Sequence, residues 1–162
     1  VANISYQSVS GSATVQSAAN YMKGKGGVTV VAAGNTGVEQ TFAPSDALIS
    51  VSATSSSDGL ASWSSYGSYV DVAAPGVSIW TTVNGGGYGA VSGTSFASPV
   101  TAGVVALMMA ANPSLAPAVI ETLLFSTAFD LGSAGVDKQF GHGRIDAAAA
   151  VQAATSAVSR DR

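Results

Sequence analysis

The chain has 162 residues, 47% of them hydrophobic and 9% charged, and carries a net charge of −3 at neutral pH. That is enough apolar chain for one domain with a real core, and it excludes a disordered polypeptide. Nucleic acid is excluded as a partner because no Lys/Arg cluster exists to track phosphates: Lys23 and Lys25 stand alone and the arginines are scattered near the C-terminus.

In chain order, VANISY (residues 1–6) is short, apolar and extended in character. GSATVQSAANYMKGKGG follows with helical spacing and stops at Lys23, Gly24 and Gly26. VTVVAAGN is a β-branched run closed by Gly34 and Asn35. Strand, helix and strand at this spacing form a βαβ unit, which implies a parallel sheet covered by helices. ALISVSAT (47–54) and YVDVAAPG (69–76) are further strand candidates, with SSSDGLASWSSYGS as the loop between them. Residues 72–120 contain no Asp, Glu, Lys or Arg, so much of that segment must pack inside. Its longest apolar run, residues 102–111, is short of the roughly 18 residues that span a bilayer and reads as a core helix. The glycines of NGGGYGAVSG form neither GxxxxGK[ST] nor GxGxxG between a strand and a helix, so they read as a turn. A helix then begins near Pro117, with Ile120, Leu123 and Leu124 on one face. Asp146 can cap a last alanine-rich helix reaching about Val158.

Cysteine is absent, which excludes disulfides, Cys-ligated zinc and a thiol nucleophile. The strongest candidate for chemistry is Ser95 in GTSFASP. Gly93, Ala97 and Ser98 keep bulk away from it, and Pro99 suits a helix's first turn, where its missing N–H is harmless. Ser95 would sit at the positive end of a buried helix, its own N–H free to face a developing oxyanion. The plain alternative is an ordinary capping serine, as Asn35 could be an ordinary turn residue.

The longer segments weigh against those alternatives. GTSFASPVTAGVVALMMAANP resembles the active-site serine segment of the subtilisin-like serine proteases, and VVAAGNTG resembles the strand and turn holding their oxyanion asparagine. ISYQSVSGSATVQSAANYM is similar to their substrate-binding strand and following helix. ASWSSYGSYVDVAAPG resembles the approach to the serine, and GHGRIDAAAAVQAA the closing turn and helix. The resemblance runs in order over nearly the whole chain. It implies an α/β fold of three layers, a parallel sheet flanked by helices, of which residues 1–162 are the C-terminal, serine-bearing portion of one catalytic domain, incomplete at the N-terminus.

By the resemblance, Ser95 is the nucleophile of a serine endopeptidase and Asn35 the side-chain donor to the oxyanion. Ser5, Tyr6 and Gln7 form one wall of the substrate groove by strand-like pairing. Ala32, Ala33 and Gly34 form the opposite wall of the first specificity pocket, where small walls leave room for a large apolar side chain. The chemistry calls for no cofactor. Asp71 lies where the family can place a carboxylate near a weak cation site, but one carboxylate is no calcium cage, so structural calcium is possible without a clear site. The resemblance also implies secretion, although no basic start, apolar stretch and cleavage site occur in this sequence.

The family's aspartate segment (D-S/T-G) and histidine segment (H-G-T) do not occur, and both would precede residue 1. The sole histidine, His142 in FGHGRID, follows Ser95 and stands at a position the family uses as a turn. Ser95 therefore lacks a base, since a serine hydroxyl alone is a poor nucleophile. The chain is expected to be inactive by itself and to pair with an Asp- and His-bearing segment of the same domain, or to form a homo-oligomer over its exposed edge. The departures from the family pattern are Phe96, Val100 and Gln7, the last in place of a glycine in the substrate strand. Two other readings stand beside the peptidase: a non-catalytic peptide-binding pseudo-protease or structural fragment, and an α/β-hydrolase esterase, whose G-x-S-x-G is broken here by Ala97.

Overall fold

The computed structural model describes residues 1–157. Four strands, β1 (Ala2–Ile4), β2 (Thr29–Ala32), β3 (Ile49–Thr54) and β4 (Val72–Pro75), lie side by side in that order, all parallel. The expected α/β class holds. Helix α1 (Ala13–Lys23) makes the crossover from β1 to β2, its first turn capped by Ser12, whose side chain accepts the Val15 N–H.

Period-two alternation assigns the two faces of the sheet. Val30, Ile49, Val51, Ala53, Val72 and Ala74 share a core with Ala97, Val105 and Met108 of helix α2 (Thr94–Ala111), which crosses the whole sheet. Val31 faces the other way and packs with Ala19 of α1 and with Leu48. β2 is thus buried on both faces, which is why VTVVA is a continuous apolar run rather than an alternating one. β3 alternates yet is also wholly buried, and two of the three hydroxyls on its polar face find partners inside the fold, the Thr54 hydroxyl having none among the described residues. The Ser50 and Ser10 hydroxyls share a 2.9 Å hydrogen bond, and the Ser52 hydroxyl donates to the Gln139 carbonyl at 2.7 Å.

Helices α3 (Pro117–Ser126) and α4 (Ala147–Ser156) complete the layer outside α2. Asp146 caps α4 by accepting the Ala149 N–H at 2.9 Å, and Asn112 donates to the Ala154 and Ala157 carbonyls, joining the C-terminal ends of α2 and α4. The expected reach of α4 to Val158 falls outside the described residues.

Two features differ from the sequence reading. The glycine-rich turn is the tip of an antiparallel hairpin, β5 (Ile79–Thr82) with β6 (Tyr88–Val91), whose outward face shows Trp80 and Tyr88 to solvent. Gly85, Gly86 and Gly87 all have positive φ, so the tip demands glycine. The core helix also begins earlier than the apolar run. At 18 residues and a mean hydropathy of 1.5 it is long and apolar enough to cross a membrane, but it lies across the sheet and buries Val105 and Met108 completely.

Candidate active site at the carboxyl edge of the sheet

The site forms where β1, β2 and the start of α2 meet, the edge at which open parallel sheets place ligands. β2 ends at Ala32, and the chain turns through Gly34 at φ +115°. A Cβ on Gly34 would stand 2.9 Å from Ser65 Oγ and 3.3 Å from Gln7 Cβ, so only glycine fits. Asn35 then projects to the first residue of α2. Its Oδ1 accepts two hydrogen bonds from Thr94, one from the backbone N–H and one from the hydroxyl, each 2.9 Å. The Gly34 N–H donates to the same hydroxyl at 3.1 Å.

Those bonds fix which way the Asn35 amide points. With Oδ1 occupied, the Nδ2 hydrogens face outward and meet no acceptor among the described residues. The Ser95 N–H, in the first turn of α2, likewise has no acceptor among the described residues. A Cβ on Gly93 would lie 3.6 Å from Asn35 Nδ2 and 3.6 Å from Ser95 N. Two unspent donors therefore converge on the space that Gly93 leaves open.

Ser95 is half-buried and engaged with β1 rather than with a base. Its hydroxyl donates to the Ser5 carbonyl at 3.0 Å, and the Ser5 hydroxyl donates back to the Ser95 carbonyl at 2.9 Å. That second bond follows from Pro99. In a helix the carbonyl of residue 95 accepts the N–H of residue 99, which proline lacks. Pro99 sits in the second turn of α2, not in the first as the sequence suggested, and its missing N–H frees the Ser95 carbonyl for Ser5.

The walls expected of a substrate groove differ in what they offer. Tyr6 and Gln7 run on from the edge strand, are exposed, and have no main-chain hydrogen-bond partner among the described residues. Ala32 and Ala33 are 1% and 2% exposed. The Ala33 carbonyl accepts the buried Tyr69 hydroxyl at 2.8 Å, and the Gly34 carbonyl accepts the Ser65 N–H at 2.8 Å. One side thus carries free strand-pairing groups, while the other contributes shape alone.

His142 lies at the opposite edge of the sheet. Its N–H donates to the carbonyl of Asp71, just before β4, and its ring stacks on Phe125 with centroids 4.7 Å apart. Burial lowers its pKa. Asp71 stands at this amino edge too, where its Oδ2 accepts the Ser50 N–H at 2.7 Å and burial pushes its pKa up to about 7. No group of three or more Asp, Glu or His side chains that could hold a metal ion occurs among the described residues.

A family model described as "Peptidase_S8: Subtilase family" matches residues 1–143. The chain belongs to the subtilase family. It is similar to the alkaline elastase YaB of Bacillus sp. (strain YaB), 39% identical over 154 residues, covering 94% of this chain and 40% of that one. It is 43% identical to an extracellular protease of Xanthomonas campestris pv. campestris, over 88% of this chain and 26% of that one. Among solved structures, a protease from Pseudoalteromonas arctica PAMC 21717 superposes with a TM-score of 0.79 at 36% identity, over 88% of this chain and 47% of that chain. This subtilase chain therefore spans half or less of the length of these three relatives.

The sequence motif singles out Ser95 and Asn35, which the fold brings to the same edge of the sheet. It does not single out Thr94, whose two bonds orient the Asn35 amide, or Asn3 and Ser98, which lie behind Ser5. Thr94 stands inside GTS, where a hydroxyl next to Ser95 is visible in the sequence; nothing local marks Asn3.

Proposed function

We propose that this chain is the serine-bearing part of a subtilisin-like serine endopeptidase, secreted like the extracellular relative, whose base and orienting acid come from an Asp- and His-bearing segment. The observation that carries the reading is the pinned Asn35 amide. A carboxamide held by its oxygen, its nitrogen turned to the same space as a helix N-terminal N–H, is suited to an anion that forms only during reaction. Ser95 Oγ attacks the substrate carbonyl carbon while its proton passes to the supplied imidazole. The carbonyl oxygen becomes an oxyanion between Asn35 Nδ2 and the Ser95 N–H. Collapse expels the amine, which leaves with the proton from the imidazole, and water then hydrolyses the acyl-enzyme by the same steps. Tyr6 and Gln7 pair with the substrate as an added strand.

The segment has a surface to occupy. β1 has a sheet neighbour on one side only among the described residues. Beside it lies an apolar hollow of about 270 Å³ lined by Ala2, Ile4, Val15, Ala18 and Met22. On the other face of the sheet, α2 exposes Pro99, Val100, Gly103, Ala106, Leu107 and Ala110, an i, i+3, i+4 stripe without a polar group. A free edge flanked by apolar surface on both layers fits a continuation of the sheet with its own covering helices, and the coverage of the relatives leaves room for one.

An organophosphonate probe tests the proposal. Alone, the chain is not labelled; joined to the Asp- and His-bearing part of a subtilase relative, it is labelled at Ser95, and Ser95→Ala removes the label. A joined protein that binds peptide but resists labelling supports the non-catalytic reading instead, for which the absence of a base near Ser95 among the described residues is the specific observation.

A further inference from the structure

We infer that Asn3 and Ser98 form a clasp that positions the nucleophile through Ser5, so that the sheet edge receiving substrate and the serine attacking it move as one body. This rests on the protease reading of Ser95.

The bonds run in one direction. Ser98, fully buried in the second turn of α2, donates its hydroxyl to Asn3 Oδ1. With that oxygen occupied, the Asn3 amide presents Nδ2, which donates to Ser5 Oγ at 2.9 Å. The Ser5 hydroxyl, its oxygen already accepting, keeps its proton for the Ser95 carbonyl that Pro99 left free. The Ser95 hydroxyl in turn donates to the Ser5 carbonyl. Each donor has one acceptor, and the three side-chain links from Ser98 to the Ser95 carbonyl follow one from the next.

The clasp matters because of where β1 stands. It is a three-residue edge strand, paired on one side only among the described residues, and such strands are where local opening is cheapest. Its next residues, Tyr6 and Gln7, carry the free main-chain groups. A substrate lying on them reaches Ser95 at a distance set by how β1 sits on α2. The main-chain bonds to β2 fix the strand's register but not its tilt toward the helix. The bonds through Asn3, Ser5 and Ser98 are what tie it there. The Ser95 hydroxyl keeps its proton and points it at the Ser5 carbonyl until a base takes it, so the hydroxyl is held in place without being ionised.

Asn3 touches neither substrate nor oxyanion and acts through Ser5. The test uses the chain joined to the Asp- and His-bearing part of a subtilase relative, following peptide kinetics, the rate of phosphonate labelling and backbone hydrogen exchange of residues 1–7. Asn3→Ala is expected to lower kcat and the labelling rate about three- to tenfold, the worth of one hydrogen bond, with KM little changed and exchange at residues 4–7 faster. Asn3→Asp keeps the size and the acceptor for Ser98, but its carboxylate draws the Ser5 proton away from the Ser95 carbonyl. It is therefore expected not to rescue, whereas a merely space-filling residue would be rescued. Wild-type kcat and exchange in Asn3→Ala, or full rescue by Asn3→Asp, overturns the clasp while leaving labelled Ser95 intact. If the unaltered joined protein is never labelled but Asn3→Ala and Asn3→Asp both speed exchange at residues 4–7, the clasp stands and the protease reading fails.

Discussion

Replacing Asp71 by asparagine should stabilise the chain, and more so at higher pH. The carboxyl lies at the amino edge of the sheet, where burial pushes its pKa up from 3.8 to about 7. The Ser50 N–H works against that rise, Glu121 and Asp46 add to it, and Lys23 opposes it. Between pH 3.8 and about 7 the folded chain holds a proton that the unfolded chain has released. Stability therefore falls as pH rises through that window and levels off above it. A separation of about three pH units amounts to roughly 4 kcal/mol in full, of which roughly 2–3 kcal/mol develops between pH 5 and 8. Asparagine keeps an acceptor for the Ser50 N–H and carries no charge, at a cost of about 1–3 kcal/mol if its Nδ2 finds no partner. The net gain at pH 8 is then about 1–3 kcal/mol, shrinking toward zero or reversing at pH 5. Urea unfolding of both proteins at the two pH values measures it. The difference between them reports Asp71 together with its coupling to Glu121 and Asp46, while His142, whose pKa burial lowers, contributes with the opposite sign to both proteins. An Asp71→Asn protein less stable than the parent at pH 8, or a difference that does not change with pH, refutes the reasoning.

In the joined protein, Asn35→Leu should lower kcat about 10² to 10³, a magnitude known from an enzyme of this family, with KM little altered; peptide kinetics check it, and a change in KM alone would remove Asn35 from the transition state. Gly93→Ala should cost activity, since the added methyl comes 3.6 Å from both Asn35 Nδ2 and the Ser95 N and residue 93 has φ +158°, which a side chain strains; hydrolysis and labelling measure the loss. Leu107→Glu puts a charge on the exposed stripe of α2, 57% exposed at that side chain. It should make the isolated chain less prone to associate and weaken its union with the Asp- and His-bearing segment, read by light scattering and by recovered labelling.

The sheet and its helices were legible because their signals are local. VTVVA, the Ser12 and Asp146 caps, and the charge-free stretch before Glu121 each follow from residues a few positions apart. The hairpin β5–β6 had its signal too, since IWTTV and YGAV flank an Asn-Gly pair, but the glycine run drew the reading to a bare turn. Within the candidate site, the motif singles out Ser95 and Asn35, and the fold adds the partners that orient them, Ser5 and Thr94.

What the motif could not give is pairing across distance. Ser95 and Pro99 are four apart, a spacing visible in the sequence, and it dictates that one carbonyl in the first turns of α2 lacks its helical donor. An unpartnered carbonyl inside a fold needs another donor, so the sequence already announced that something must approach Ser95 from outside the helix. Only the fold could say that the donor is Ser5, 90 positions earlier, on the strand whose next residues are free to pair. The proline that the sequence reading took as harmless is therefore the link between the helix that carries Ser95 and the edge strand that leads into Ser5. Replacing Pro99 by alanine restores the N–H, lets the helix reclaim the Ser95 carbonyl, and should release β1 as surely as removing Asn3. Faster exchange at residues 4–7 in Pro99→Ala, with helix α2 intact by circular dichroism, is the expected result; unchanged exchange would mean that the Ser5 bond survives competition from the helix and that Pro99 does not govern it.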